Sequence, residues 1–132
     1  MKYLLDVNAL MGLGFSPHTF HDRVERWLKS MDRADLATCA ITELGFVRIL
    51  AQLPDHEISV KSAQEMLALL KATSRASFTF IADEHGIDRL PAWVKHPKQT
   101  TDGHLAALAK AHGAILATLD EKIPGAFVIP IR

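Results

Sequence analysis

Apolar positions along this chain fall into short runs of two periods, one near two residues and one near three and a half. Lys2 to Asp6 reads as a short buried strand closed by a carboxylate. Val7 to Leu13 predicts a short helix, broken by Gly12, Gly14 and Pro17. Between Thr19 and Ser30, Phe20, Val24, Trp27 and Leu28 share one face of a predicted helix. Asp35 to Cys39 predicts a second strand, and Ile41 to Leu53 a helix that Pro54 stops. Ser59 is placed to cap a further helix, with Val60, Ala63, Met66, Leu67 and Leu70 at helical spacing. Ser77 to Ala82 alternates as a strand does. Asp83 to Gln99, with Pro91, Trp93 and Pro97 among charged residues, reads as loop with one helical turn. Thr100 or Thr101 is expected to cap a helix, Leu105 to His112, with Gly113 as its left-handed terminator. Ala114 to Leu119 is a buried strand ending in Asp120, and Phe127 to Ile131 a last short strand. Strands alternating with helices predict an α/β fold, a parallel sheet with helices on both faces.

The chain has 132 residues, enough for one domain and one sizeable core. Its 48% hydrophobic and 23% charged residues exclude a disordered, collagenous or rod-like chain. A single cysteine, Cys39, excludes a disulfide framework and any multi-cysteine zinc site, and fits a reducing cytoplasm. No apolar run approaches the ~18 residues of a membrane helix. A charge at Asp6 interrupts the stretch a signal peptide would keep apolar, so a cytoplasmic protein away from membranes is expected. Fifteen basic and fifteen acidic residues cancel, so there is no wholesale basic footprint for nucleic acid. Committing four acids to a metal would still leave a basic excess around an acidic hole.

The acids carry the chemistry. Asp6 and Asp120 each end an apolar run, and ligands of open parallel sheets bind at the carboxyl ends of strands. Either alone reads as the start of a turn; together they point to a shared edge. Asp102 lies in the first turn of its helix, where an acid also complements the helix dipole. Glu43 is flanked on its helix face by Ala40, Phe46, Val47 and Leu50, so a cation is expected beside it or its charge must reach the rim. Arg48, roughly 140° round the helix, is not placed to serve. Thr118 shares a strand face with Asp120, as a hydroxyl that orients a metal-binding carboxylate would. Asn8 either caps the first helix or steadies Asp6. Oxygen ligands without a cysteine or histidine cluster suit Mg²⁺ or Mn²⁺. Two such ions ~4 Å apart can clamp the attacking and leaving oxygens of a phosphodiester.

Four stretches stand in order: Leu4-Leu5-Asp6-Val7-Asn8-Ala9-Leu10, Ile41-Thr42-Glu43-Leu44-Gly45-Phe46-Val47-Arg48, Thr101-Asp102-Gly103-His104-Leu105-Ala106-Ala107-Leu108-Ala109, and Leu116-Ala117-Thr118-Leu119-Asp120. In this the chain resembles the PIN-domain family over essentially its whole length, and within it the VapC-type toxins of bacterial toxin–antitoxin pairs. His18 to Trp27, a histidine-led helix closing on tryptophan, is similar to one VapC subgroup. The resemblance implies a single PIN domain over 1–132, with a three-layer α/β/α sandwich around a mainly parallel twisted sheet. It implies that Asp6, Glu43, Asp102 and Asp120 are the catalytic acids that bind Mg²⁺ or Mn²⁺. It also implies ribonuclease activity on structured RNA, silenced by a cognate VapB-type antitoxin. Gly103 departs from the family pattern, where bulkier residues are common after the third acid.

On this reading the four acids converge in one cleft, and their crowding raises at least one carboxylate pKa in the metal-free protein. A homodimer is expected, because the helices near Ser16–Ser30 and Ser59–Thr73 carry more apolar positions than a small sheet covers. Trp93, Lys95 and Lys98, with Arg89 and His96, are candidates for RNA contact or form a solvated loop anchored by one tryptophan. Two alternatives differ in kind. A non-catalytic interaction module on a PIN scaffold would have no use for four intact acids. An aspartate-phosphorylating domain of the receiver or haloacid-dehalogenase type would want a second Asp at the place of Asn8, or a lysine ending a late strand where Asp120 stands.

Overall fold

A computed structural model describes residues 1–132. The elements are β1 (Lys2–Leu5), α1 (Val7–Gly14), α2 (His21–Lys29), β2 (Ala34–Cys39), α3 (Ala40–Gln52), α4 (Val60–Lys71), β3 (Ala76–Ile81), α5 (Thr100–Ala111), β4 (Ala114–Thr118) and β5 (Phe127–Val128). Two 3₁₀ turns, Ile87–Arg89 and Pro97–Gln99, punctuate the long connection before α5. The five strands form one sheet in the order β3-β2-β1-β4-β5, and every pairing is parallel.

Side chains alternate across the sheet and meet two separate layers. Leu5, Leu36 and Ala117 face Leu10, Val24, Phe46 and Leu67, so α1 to α4 cover that side. Leu4, Ala37 and Leu116 face the other way, onto Leu105 and Leu108 of α5. Both faces of the central strands are therefore dry, which is why β1 reads as a continuous apolar run. The architecture is the expected α/β/α sandwich, with four helices on one side and one helix plus a loop on the other.

Several boundaries depart from the sequence reading, each for a local reason. Helix α2 begins at His21, so Phe20 lies outside its apolar face, 44% exposed beneath the Arg23 guanidinium. Val60 is exposed because it opens α4 on the solvent side, whereas Ser59 caps that helix by accepting from the Ser62 N–H. Neither Thr100 nor Thr101 caps α5. The preceding 3₁₀ turn runs straight into the helix, and the Thr100 hydroxyl donates back to the Pro97 carbonyl at 2.8 Å. The last strand stops at Val128, two residues before Pro130. The chain beyond is tied down by side chains instead: Arg23 Nε donates to the Ile129 carbonyl (3.0 Å) and Arg26 to that of Ile131 (2.7 Å). Gly113 has φ +67°, the left-handed terminator expected after α5.

The departure at Gly103 has a packing cause. A Cβ there would collide with the Val94 side chain and press on Pro91, so the loop before α5 lies directly against the helix turn that carries Asp102. Gly103→Leu should overpack this seam and lower unfolding free energy by roughly 1–3 kcal/mol. Urea denaturation of the variant checks it; an unchanged midpoint would show that the loop yields freely.

Candidate active site

The strand order reverses direction at the centre of the sheet. From β1 the chain builds outward through β2 to β3, then returns to place β4 and β5 on the other side of β1. A crevice opens beyond the carboxyl ends of β1 and β4, the usual ligand site of an open α/β sheet. Asp6 directly follows β1, and Asp120 lies two residues past β4. Glu43 sits in the first turn of α3, which leaves the carboxyl end of β2, and Asp102 in the first turn of α5, which feeds β4. All four acids thus stand on the same edge of the sheet.

Register decides how Asp6 is held. Leu5 pairs with Ala117, so the next residues, Asp6 and Thr118, are level. The Asp6 N–H donates to the Ala117 carbonyl at 3.1 Å, and the Thr118 hydroxyl donates to Asp6 Oδ2 at 2.5 Å. Asp6 Oδ1 accepts from the Ala9 N–H at 2.8 Å, making Asp6 the N-cap of α1. Asn8 does not cap that helix. It is exposed and lines a small cleft with His18, Phe20, Leu119 and Asp120. Thr118 Oγ1 also accepts from the Asp120 N–H at 3.0 Å, so one hydroxyl joins two of the acids.

Asp6 is 7% exposed, and burial raises its pKa above the usual carboxylate range. Its hydrogen bonds to Thr118 and Ala9 oppose that rise, and the charges of Asp102 and Asp120 add to it. The Asp102 pKa is raised as well, by burial first and then by Asp120. No lysine, arginine or histidine forms an ion pair with Asp6, Asp102 or Asp120. The three carboxylates feel one another's charge at the edge of the sheet without a compensating cation.

Glu43 stands apart electrostatically. Its Oε2 accepts from the Thr38 hydroxyl and from Lys71 Nζ, both at 2.6 Å. Lys71 is the cation that its apolar surroundings called for, supplied from the end of α4 rather than from its own helix. Neither Thr38 nor Lys71 was singled out from sequence. Thr38 lies one residue before the end of β2, near the same sheet edge at which Thr118 ends β4, and that likeness is the available signal; Lys71, 28 residues from Glu43, has none.

An oxygen-only donor set, partly buried and without a counter-ion, fits a hard divalent cation. No three histidine, cysteine, aspartate or glutamate side chains close round a single point, and Glu43 is bonded to Thr38 and Lys71 instead. The histidines offer no rival site. His21 Nδ1 is bonded to the Gly12 carbonyl, His18 Nδ1 accepts from the Phe20 N–H, and His104 Nε2 is bonded to Asp83, each a different local commitment. Trp93 is half-buried against the α5 side of the core and lines an open cleft of about 870 Å³ with Arg89 and Lys110. Lys95 and Lys98 are exposed on the segment leading into α5.

Raised carboxyl pKa values set the sign of a stability effect. A carboxyl whose folded pKa lies above its unfolded value binds a proton more readily when folded. Its contribution is therefore most favourable at or below pH 3.8 and is lost as pH rises through the folded pKa. Asp6→Asn keeps an acceptor for Thr118 and a good N-cap while removing the charge. Without divalent ions this variant should melt above the parent at neutral pH, and the gap should close on acidification. Thermal melts at a series of pH values check this, and a variant that melts lower throughout would contradict it.

Comparison with known proteins agrees with this arrangement. The PIN domain family matches residues 3–126. Ribonuclease VapC44 of Mycobacterium tuberculosis is 36% identical over 129 residues, covering 93% of this chain and 89% of that protein. Ribonuclease VapC38 of the same species is 37% identical over 122 residues, covering 89% and 84%. Among solved structures, VapBC2 from Rickettsia felis, bound to a DNA fragment from its promoter, shares the fold with a TM-score of 0.56 over 97% of both chains, at 16% identity. These matches set aside the aspartate-phosphorylating alternative: the chain belongs to the PIN-domain family and, within it, to the VapC ribonucleases.

Proposed function

We propose that this chain is the toxin of a type II toxin–antitoxin pair, a ribonuclease that hydrolyses RNA phosphodiester bonds with Mg²⁺ or Mn²⁺. The observation that carries this reading is the group of three carboxylates at the carboxyl edge, buried Asp6, half-buried Asp102 and exposed Asp120, none of them ion-paired with a cation of the chain's own. The kinship with VapC ribonucleases at 36–37% identity supports RNA as substrate.

Asp6, Asp102 and Asp120 would hold the ion, and Glu43 borders the same edge. Held by these carboxylates, a divalent ion would supply Lewis-acid chemistry to a water and to the leaving 3′ oxygen. The chain's residues fix the geometry. Thr118 orients the Asp6 carboxylate, and the Ala9 N–H at the start of α1 holds its other oxygen. Asp6 and Asp102, with raised pKa values, shed their protons more readily once a cation offsets the repulsion among them. Lys95 and Lys98, exposed before α5, are placed to neutralise RNA phosphates, and Trp93 offers a partly exposed indole face.

Cleavage should cease with EDTA and return with Mg²⁺ or Mn²⁺. Asp102→Asn should abolish it with the fold intact, and Thr118→Val should lower activity about 10–100-fold, as loss of a ligand-orienting bond does. A product ending in a 2′,3′-cyclic phosphate would falsify the hydrolytic mechanism, because the RNA's own 2′-hydroxyl would then have attacked. A folded chain that binds its partner but cuts no RNA would favour the interaction-module alternative.

The same reading carries two partners. A VapB-type antitoxin is the cognate inhibitor, by analogy with the VapBC assembly of the structural neighbour. A second copy of the chain is the other. Leu44, Val60, Leu69 and Phe80 are between 49% and 75% exposed, more apolar surface than the monomer covers. A homodimer interface there should bury at least ~1,000 Å² in total. Light scattering at micromolar concentration should give twice the monomer mass of 14.6 kDa; a monomer refutes the dimer.

A further inference from the structure

A cleft of about 280 Å³ adjoins the acids, lined by Asn8, His18, Phe20, Leu119 and Asp120. Asp120 belongs both to this cleft and to the acids at the carboxyl edge, so an occupant of the cleft lies next to them. We propose that the cleft is a base-binding subsite, which seats one unpaired nucleobase of the RNA beside the phosphodiester that is cut. The inference rests on the ribonuclease reading above and adds the residues that read sequence.

The lining suits a base and not a phosphate. It contains no lysine or arginine, and its one carboxylate, Asp120, repels an anion. Phe20 presents an aromatic ring that is 44% exposed, outside the apolar face of α2 and outside the core. Unpaired RNA bases are held by stacking on such rings and by hydrogen bonds to their edges. The exposed Asn8 amide carries donors and an acceptor side by side, as the edge of a base does. His18 Nδ1 accepts from the Phe20 N–H at 3.1 Å, so the neutral ring carries its proton on Nε2, a further donor. The volume is below the roughly 300–1,000 Å³ of a site for a whole small molecule and suits a single ring system.

The aromatic ring stands on a turn that is already fixed. The His18 N–H donates to the Phe15 carbonyl at 3.0 Å, and the Phe20 carbonyl accepts from the Val24 N–H at 3.1 Å. His21 Nδ1 donates to the Gly12 carbonyl at 2.7 Å, which ties the turn to α1. The Arg23 guanidinium lies 5.8 Å from the Phe20 ring centroid and is anchored on the Ile129 carbonyl. A ring held in this way loses little freedom when a base stacks on it. Phe20 thus supplies the stacking surface, and Asn8 with His18 selects among bases.

Digestion of RNA hairpins with randomised loops, with Mg²⁺ present and the cut ends sequenced, tests this. The wild type should favour one base about tenfold at one nucleotide flanking the cut. Phe20→Trp should keep that preference, and Asn8→Ala should lower it. On the hairpin cut best, Phe20→Ala should raise KM roughly 10-fold, and so should an abasic nucleotide at the favoured position given to the wild type. The two changes together should do no more than either alone. Circular dichroism establishes that each variant is folded. A wild type without a flanking preference overturns the subsite and leaves the ribonuclease reading standing, as does a Phe20→Ala variant that responds to the abasic nucleotide in full. If that variant instead cuts as the wild type does and loses a co-expressed VapB-type antitoxin, the cleft belongs to a protein side chain and the proposal fails. A wild type that cuts no RNA with Mg²⁺ or Mn²⁺ overturns the ribonuclease reading and this inference with it.

Discussion

The parallel pairing of β1 with β4 sets Leu5 opposite Ala117 and so brings Asp6 level with Thr118. One residue of slip would turn Asp6 toward the wrong layer and break its bond to Thr118. The register is guarded by burial on both faces: Leu4 and Leu116 are committed to α5, and Leu5 and Ala117 to the four-helix layer. The core therefore specifies where the first acid stands. Asp6 in turn caps α1, so the same carboxylate that serves the crevice also starts the helix beside it.

Charge compensation divides the site. Burying a carboxylate costs free energy unless something offsets it. Glu43 is offset from within the chain, by a lysine and a threonine on two other elements. Asp6 receives two neutral hydrogen bonds, which hold its orientation while its pKa stays raised, and Asp102 is raised beside it. The protein thus keeps a local electrostatic cost at one end of the sheet. Perturbed carboxylates are commonly found where function requires them. Here the perturbation has identifiable sources: the dry end of β1 and the approach of α5.

Gly103 shows how closely the non-catalytic side is fitted to this arrangement. The irregular segment from Asp83 to Gln99 packs Val94 and Pro91 onto the helix turn that presents Asp102. A loop against a helix needs a small residue at the point of closest approach. Together with the bond from His104, two residues after Asp102, to Asp83, this seats the N-terminus of α5 at the crevice.

The sequence by itself determined the order and kind of nearly every element, because two-sided burial and helical periodicity leave separate signatures. It also placed Asp6 and Asp120 at strand ends, where an apolar run stops at a carboxylate, and it showed that Glu43 needed either a cation or a route for its charge to the rim. It did not reveal Lys71 or Thr38 as that residue's partners, since the contact joins α3, α4 and β2 across positions with no common period. Nor did it show that Asp6 rather than Asn8 caps α1, a choice made by backbone angles and by the hydroxyl of Thr118, 112 residues away. Periodicity reports which face of an element is buried. Which charge meets which across the edge of a sheet depends on how separate elements are brought together, and only the tertiary structure decides that.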